Sequence, residues 1–173
     1  SWSIAAVNIL SVFLLWLYSN NLKRQPFVGN LAVALLTGAS IFVVDILYRT
    51  HSSLVMIYAL FAIFMTLVRE IIKDIEDLKG DNTFGCKTLP IILGIRKTKV
   101  IIYAILSAFS IAVIVLNKYY EILPSQYYLL LLFAPLAWFV LRLYVADTKK
   151  DFSWLSTFCK VIMLVGILSM VFA

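Results

Sequence analysis

The residues that could do chemistry are gathered in one run, Arg69 to Gly94, which reads REIIKDIEDLKGDNTFGCKTLPIILG. It carries five of the chain's nine acids, Glu70, Asp74, Glu76, Asp77 and Asp81. Four of the fifteen bases, Arg69, Lys73, Lys79 and Lys87, are interspersed with them, and Arg96 and Lys97 follow just beyond. Asp77 and Asp81 form a DxxxD pair, and Lys73 stands four residues before Asp77. Residues three or four apart share a helix face, so a helix continuing past Lys73 turns Asp74 and Asp77 the same way. Gly80 is expected to break that helix, so Asp81 need not follow. Carboxylates brought together repel and raise one another's pKa until a cation neutralises them. Magnesium suits such a cluster, because it takes hard oxygen ligands and is held by one or two carboxylates together with substrate phosphates. The interspersed Lys and Arg would then grip phosphate. The plainer alternative is a solvated loop of mixed charge between two membrane helices, since charge runs are usually solvated faces.

The elements that must position this run are apolar. With 63% hydrophobic residues in 173 and a mean hydropathy of +0.99, this is not the composition of an ordinary soluble domain. A membrane-spanning helix needs about 20 mostly apolar residues. The sequence predicts six, at roughly 2–18, 28–47, 53–70, 100–117, 125–145 and 153–173. The expected fold is therefore all-α, a polytopic membrane helical bundle forming a single domain over 1–173, with no soluble module, repeat or low-complexity linker. Ser1 and Trp2 open the chain without a basic region, so no recognisable signal peptide is predicted. Cys86 and Cys159 lie far apart in different settings, which suggests neither a disulfide framework nor a metal knuckle.

Charge orients the bundle. Alternate connections collect Lys23 and Arg24, then the Lys73–Lys99 region, then Lys149 and Lys150, while the opposite connections hold only Arg49 and Lys118. Cytoplasmic loops are enriched in Lys and Arg, which places the acidic run on the cytoplasmic face. The net charge of +6 reflects this bias and suits anionic membrane lipids rather than nucleic acid. The first connection, Tyr18 to Asn30, is a turn with two bases and a helix restart after Pro26. Asp45 and Arg49 are spaced for structural pairing near an interface. His51 falls in a short far-side loop, and no role is assigned to it. Lys160, well inside the last helix, is expected to snorkel or to face the bundle interior. Tyr58, Phe61, Phe64 and Met65 lead into the acidic run as packing, or as the border of a channel for an apolar tail.

The order of residues in the run carries more than its composition. Arg69-Glu70-Ile71-Ile72-Lys73-Asp74-Ile75-Glu76-Asp77, then Gly80-Asp81, then Gly85-Cys86-Lys87-Thr88-Leu89-Pro90 and Gly94 resemble the UbiA superfamily of intramembrane aromatic and lipid prenyltransferases. The match is to the family's second aspartate-rich motif and its trailing Gly-x-Lys-Thr segment. Tyr18 and Lys23 are similar to the family's tyrosine–lysine segment, one residue longer than the usual YxxxK. The resemblance implies magnesium-dependent transfer of a prenyl group from a prenyl diphosphate to a lipid or aromatic acceptor. It implies Asp77 and Asp81, supported by Asp74, as metal ligands. It implies Tyr18, Lys23, Arg69, Lys73 and Lys87 as diphosphate contacts, with Arg69 alternatively pairing with the acids. Asp77, Asp81 and Lys23 are the expected catalytic residues.

REIIKDIEDLKGD followed by KTLPI looks most like the branch acting on geranylgeranylglyceryl phosphate, which makes ether-linked lipids. Quinone-precursor branches, with hydroxybenzoate, naphthoate or homogentisate acceptors, use similar motifs. The family fold has nine transmembrane helices and two aspartate-rich motifs. The six spans match its last six helices, so about three N-terminal helices and the first motif, NDxxDxxxD, are expected outside this chain. Half the metal site would go with them, leaving this chain with little activity alone. The expected location is the cell inner membrane, with the active-site loops on its cytoplasmic face. A small polytopic transporter or scaffold would explain hydropathy and sidedness, but not the ordered acids, bases and glycines. A soluble isoprenoid synthase is excluded by the hydropathy.

Overall fold

Each run that the sequence marks as apolar forms a helix, since a backbone in an apolar medium must satisfy its own N–H and C=O groups. The computed structural model describes residues 2–48, 53–120 and 126–169. Helix α1 spans Trp2–Asn20, α2 Val28–Tyr48, α3 Ser53–Glu76 and α4 Leu78–Thr83. Helix α5 spans Leu89–Tyr120, α6 Gln126–Val145 and α7 Lys149–Ser169. No strand occurs among the described residues. Four segments, Val28–Tyr48, Leu54–Glu76, Leu89–Lys118 and Lys149–Leu168, are long and apolar enough to cross a membrane, while Ile4–Asn20 and Leu132–Val145 are shorter apolar helices. Of six expected spans, four thus meet the requirement by length and composition alone. The chain is a helical bundle of an integral membrane protein.

Helix α3 is the axis of the bundle. Met65, Val68, Ile71, Ile72 and Ile75 recur at the three- and four-residue spacing of a helical stripe, and none is more than 4% exposed. Helices α2, α5 and α7 all pack against it. Its apolar window is 56% buried, against 22% in α2 and 28% in α7, so the neighbours cover α3 rather than one another. Phe109 of α5 meets Phe61 and Phe64 at ring-centroid distances of 5.9 and 5.4 Å. Met65 and Phe64 are therefore packing residues, while Tyr58 and Phe61 border an apolar cavity. Lys160 is exposed, so it does not face the bundle interior: Leu155, Cys159 and Ile162 occupy that side of α7. Asp45 is buried on α2, whereas Arg49 and His51, and with them the expected Asp45–Arg49 pair, lie outside the described residues.

Helix α5 begins at Leu89, eleven residues before the expected span, and bends at Gly94, where φ is 79° and ψ 160°. Thr98 donates its hydroxyl proton to the Gly94 carbonyl at 2.9 Å, one turn back across the bend. The first connection is compact. A single 3-10 turn spans Leu22–Arg24, and Gln25 is extended (φ −95°, ψ 143°), as the residue before a proline prefers. Phe27 adopts φ 64°, a left-handed conformation uncommon outside glycine. Hydrogen bonds on either side hold it there, from the Val28 N–H to the Pro26 carbonyl at 2.7 Å and from the Leu31 N–H to the Phe27 carbonyl at 2.9 Å.

Gly29 lies where the 3-10 turn folds back on α2. A Cβ there would stand 2.7 Å from the Leu22 carbonyl oxygen, which is backbone and cannot rotate away, whereas a Cβ on Gly80 meets nothing within 4 Å. Gly29→Ala is therefore expected to lower stability by about 1–3 kcal/mol through overpacking. Gly80→Ala should raise it by up to about 1 kcal/mol through helix propensity. Thermal unfolding of the two variants in detergent checks the pair, and equal melting temperatures would contradict the packing described.

Candidate active site

The acidic run occupies the end of α3 and the short helix after it. Helix α3 continues through Glu70 and Asp74 to Glu76, and the chain leaves helical geometry at Asp77 (φ −94°, ψ 8°). The break is thus at Asp77 and not at Gly80, which sits inside α4. Glycine disfavours a helix interior by only about 1 kcal/mol, less than the local turn can override. The break leaves the acids together. Asp77 donates its N–H to the Lys73 carbonyl at 2.9 Å, and Asp81 donates its own to the Asp77 carbonyl at 3.0 Å. Asp77 and Asp81 therefore stand one helical turn apart on the same side. Asp74 feels the charges of Asp81, Glu70 and Asp77.

One hydrogen bond joins this acidic turn to the first connection. Asn30, in the first turn of α2, donates from Nδ2 to Oδ2 of Asp74 at 2.7 Å. The Tyr18 hydroxyl, at the end of α1, lies close enough to feel the carboxylates of Glu70 and Asp74. Lys23 is exposed in the 3-10 turn between them. Tyr18, Lys23, Asp74, Asp77 and Asp81 thus share one end of the bundle. Lys73 is exposed on α3 and offsets part of the charge around Asp81. Arg69 pairs with Glu70, the second of the two uses expected for it, while its Nε is buried without a partner.

The trailing segment folds back toward the acids. Gly85 has φ 68°, the left-handed region where glycine costs least, and the Cys86 N–H then reaches the Asp81 carbonyl at 2.9 Å. Lys87 is exposed on this turn. Thr88 starts α5: its carbonyl accepts the N–H groups of Ile91 and Ile92 at 3.1 and 3.2 Å, and Pro90 fits the first turn, where no donor is needed. The Thr88 hydroxyl is buried without a partner. Sequence reasoning assigned no role to Asn30 or Thr88. Asn30 is a lone amide at the start of an apolar helix; Thr88 precedes Leu-Pro as a helix cap does and closes the Gly-x-Lys-Thr segment, which were its signals.

Burial and the Asp77 charge push the Asp81 carboxyl above its ordinary range, with Lys73 pulling it partly back. Asp77 and Asp81 form no ion pair among the described residues, so the chain offsets their repulsion only in part, through Lys73. No group of three His, Cys, Asp or Glu side chains among the described residues could hold a metal by itself. Asp74, Asp77 and Asp81 are neighbours but do not converge into a cage. Hard oxygen donors carrying uncompensated charge fit a magnesium ion that completes its shell with water and phosphate oxygens.

The Asn30 bond makes a measurable contribution of its own. A hydrogen bond to a charged group is worth about 1.5–3 kcal/mol, and Asn30→Ala should reduce stability by that order. Asn30→Asp should reduce it further at neutral pH, since it sets a second carboxylate against Asp74. Melting temperatures of both variants that matched the parent would show that Asn30 does not hold Asp74.

Known proteins resemble this chain over nearly its whole length. The model of the UbiA prenyltransferase family matches residues 1–166. The digeranylgeranylglyceryl phosphate synthase of Methanosphaera stadtmanae is 38% identical over 166 residues, covering 94% of this chain and 60% of that protein. The protein of the same name from Methanoregula boonei is 45% identical over 111 residues, covering 63% of this chain and 38% of its own length. A solved structure from work on digeranylgeranylglyceryl phosphate synthase in membranes superposes with a TM-score of 0.79 at 26% identity, over 96% of this chain and 59% of that one. The chain thus spans about 60% of the length of the Methanosphaera relative. With the family model running through both the Tyr18–Lys23 connection and the acidic turn that Asn30 ties to it, this chain belongs to the UbiA prenyltransferase family.

Proposed function

We propose that the protein transfers a prenyl group from a prenyl diphosphate to geranylgeranylglyceryl phosphate, with all six apolar helices crossing a cell inner membrane and the acidic turn on its cytoplasmic face. The observation that carries this reading is the Asn30–Asp74 bond, which sets the first connection beside the acids. Kinship with digeranylgeranylglyceryl phosphate synthases supports the choice of acceptor over a quinone precursor. Asp77 and Asp81, with Asp74 in support, would hold magnesium. When bound, the ion neutralises diphosphate charge and makes it a better leaving group.

The chain's own residues do the rest. Lys23, Lys73 and Lys87 are exposed cations around the acidic turn, placed to hold the diphosphate as it departs. The Tyr18 hydroxyl and the unpartnered Thr88 hydroxyl add neutral donors, and Arg69 is held by Glu70 at the rim. The allylic C–O bond breaks and its electron pair leaves with the diphosphate. The acceptor's free hydroxyl attacks the allylic carbon and loses its proton, while the surrounding apolar helices keep water from competing. The sequence contains no NDxxDxxxD, so this chain alone should transfer little or no prenyl group.

In the full-length protein, Asp77→Asn and Asp81→Asn should each lower kcat/KM by about a hundredfold or more, as removal of one transition-state stabiliser does, with helical content and assembly preserved. Variants that kept parental transfer rates would remove the acids from the reaction and favour a scaffold.

The pH profile gives a second check. An acid whose pKa is raised stays protonated to higher pH, so the cation-binding form of Asp81 is lost as pH falls through that raised range. Transfer should decline on acidification at a pH above the usual carboxylate range, and Asp81→Asn should abolish that dependence in the residual activity. An acid limb unchanged by the substitution would assign it elsewhere.

A further inference from the structure

A second polar site lies between α6 and α7, away from the acidic turn. Arg142 holds its guanidinium 5.3 Å from the rings of both Trp138 and Trp154, a cation–π arrangement that fixes the charge while leaving its N–H edge free. It opens on a pocket of about 300 Å³ that also includes Lys150, Asp151, Trp154 and Leu155. Lys149 is exposed beside it. Asp151 faces Arg142, but its Oδ2 already accepts the Thr148 N–H at 2.9 Å, the Thr148 hydroxyl at 2.8 Å and the Asp147 N–H at 3.2 Å. Asp147 in turn lies 3.7 Å from Lys99, whose ammonium also donates to the Ala146 carbonyl and pins the turn to α5. Asp147 is paired with Lys99, and Asp151 keeps its charge but is outnumbered by Arg142, Lys149 and Lys150, so the net charge here is positive.

The same two helices continue into an apolar cavity of about 340 Å³, lined by Tyr58, Phe61, Pro135, Trp138, Phe158 and Val165. Trp138 lines this cavity and carries on its ring face Arg142, which lines the charged pocket. On α7, Trp154 stacks on Phe158 at 5.0 Å and 14°, so each helix supplies one continuous wall from the charged pocket to the apolar one. Along α6, Arg142 to Leu132 is a rise of about 15 Å, half of a hydrocarbon core of about 30 Å. That is the depth of one leaflet. Along α3, by contrast, the cavity residue Tyr58 is about 24 Å from Asp74, so this space is not where the reacting diphosphate sits. Trp138 and Trp154 are 50% and 45% exposed, as indoles at a membrane interface are.

We propose that this cleft binds an anionic phospholipid of the surrounding leaflet, with its phosphate on Arg142 and Lys150 and one chain in the cavity behind Trp138. The proposal is independent of prenyl transfer, and its test reads lipid retention. The full chain is purified in detergent, mixed with equal amounts of phosphatidylglycerol and phosphatidylcholine, and its bound lipid measured by native mass spectrometry. Phosphatidylglycerol should be retained preferentially. Arg142→Gln and Lys150→Gln should each lower its retention about fivefold, the effect of one basic charge near a membrane surface, and both sites are exposed enough to spare the fold. Lys118→Gln, at the other end of α5, should change nothing, and Trp138→Ala should weaken retention of both lipids. The proposal is overturned if the double variant keeps phosphatidylglycerol at the parental level. It is equally overturned if free glycerol phosphate competes as well as the lipid, or if a prenyl diphosphate displaces the lipid one for one.

Discussion

Repulsion among Asp74, Asp77 and Asp81 is the constraint around which this bundle is arranged. The three carboxylates cap the most buried of the four candidate spans, and at Asp81 burial and the Asp77 charge both act against ionisation. The protein answers one of them internally, through the Asn30 amide on Asp74, and leaves Asp77 and Asp81 without an ion pair among the described residues. A fold that needed these acids only for solubility would scatter them. Here a break at Asp77 that might have separated them is followed at once by α4, whose first turn returns Asp81 to the same side.

The position of α3 makes that arrangement rigid. Its Met65–Ile75 stripe is covered by α2, α5 and α7 together, so the acidic end cannot shift without moving three neighbours. Two of these neighbours also bring groups to the same end. Helix α2 brings Asn30 and, through the Gly29 contact, the turn that carries Lys23. Helix α5 brings Thr88 at its cap and Lys87 just before it. The polar connections are thus consequences of packing several helices on one axis, and Lys23, Lys73 and Lys87, among the basic residues that mark sidedness in the sequence, lie in the connections that carry or adjoin the acids.

Long apolar runs made the helices legible, because a backbone surrounded by apolar side chains has few other ways to satisfy its hydrogen bonds. The order of acids, bases and glycines made the candidate site legible, and with it the family. Span number was less legible, since among the described residues four segments meet the length and apolarity of a span. The start of α5 was hidden because Arg96, Lys97 and Lys99 make its first turns too polar to read as membrane, although Thr88 and Pro90 mark a helix start. The orientation of Lys160 was hidden for the opposite reason: α7 is apolar on several faces, and only packing decides which one turns inward. The helix break was misplaced at Gly80 because propensity was the only guide, and the structure sets it three residues earlier. Asn30 acts through a partner 44 positions away, which no local pattern can disclose.

The central claim is that Asp77 and Asp81 hold a cation only together with a diphosphate. Calorimetric titration of magnesium into the full-length protein, with and without a non-reactive prenyl diphosphate analogue, tests it most directly. The account predicts weak magnesium binding alone and much tighter binding with the analogue, with the reciprocal gain in analogue affinity that linkage requires and loss of both in Asp77→Asn. Equal magnesium affinity in the presence and absence of the analogue, or coupling that survives Asp77→Asn, would contradict it.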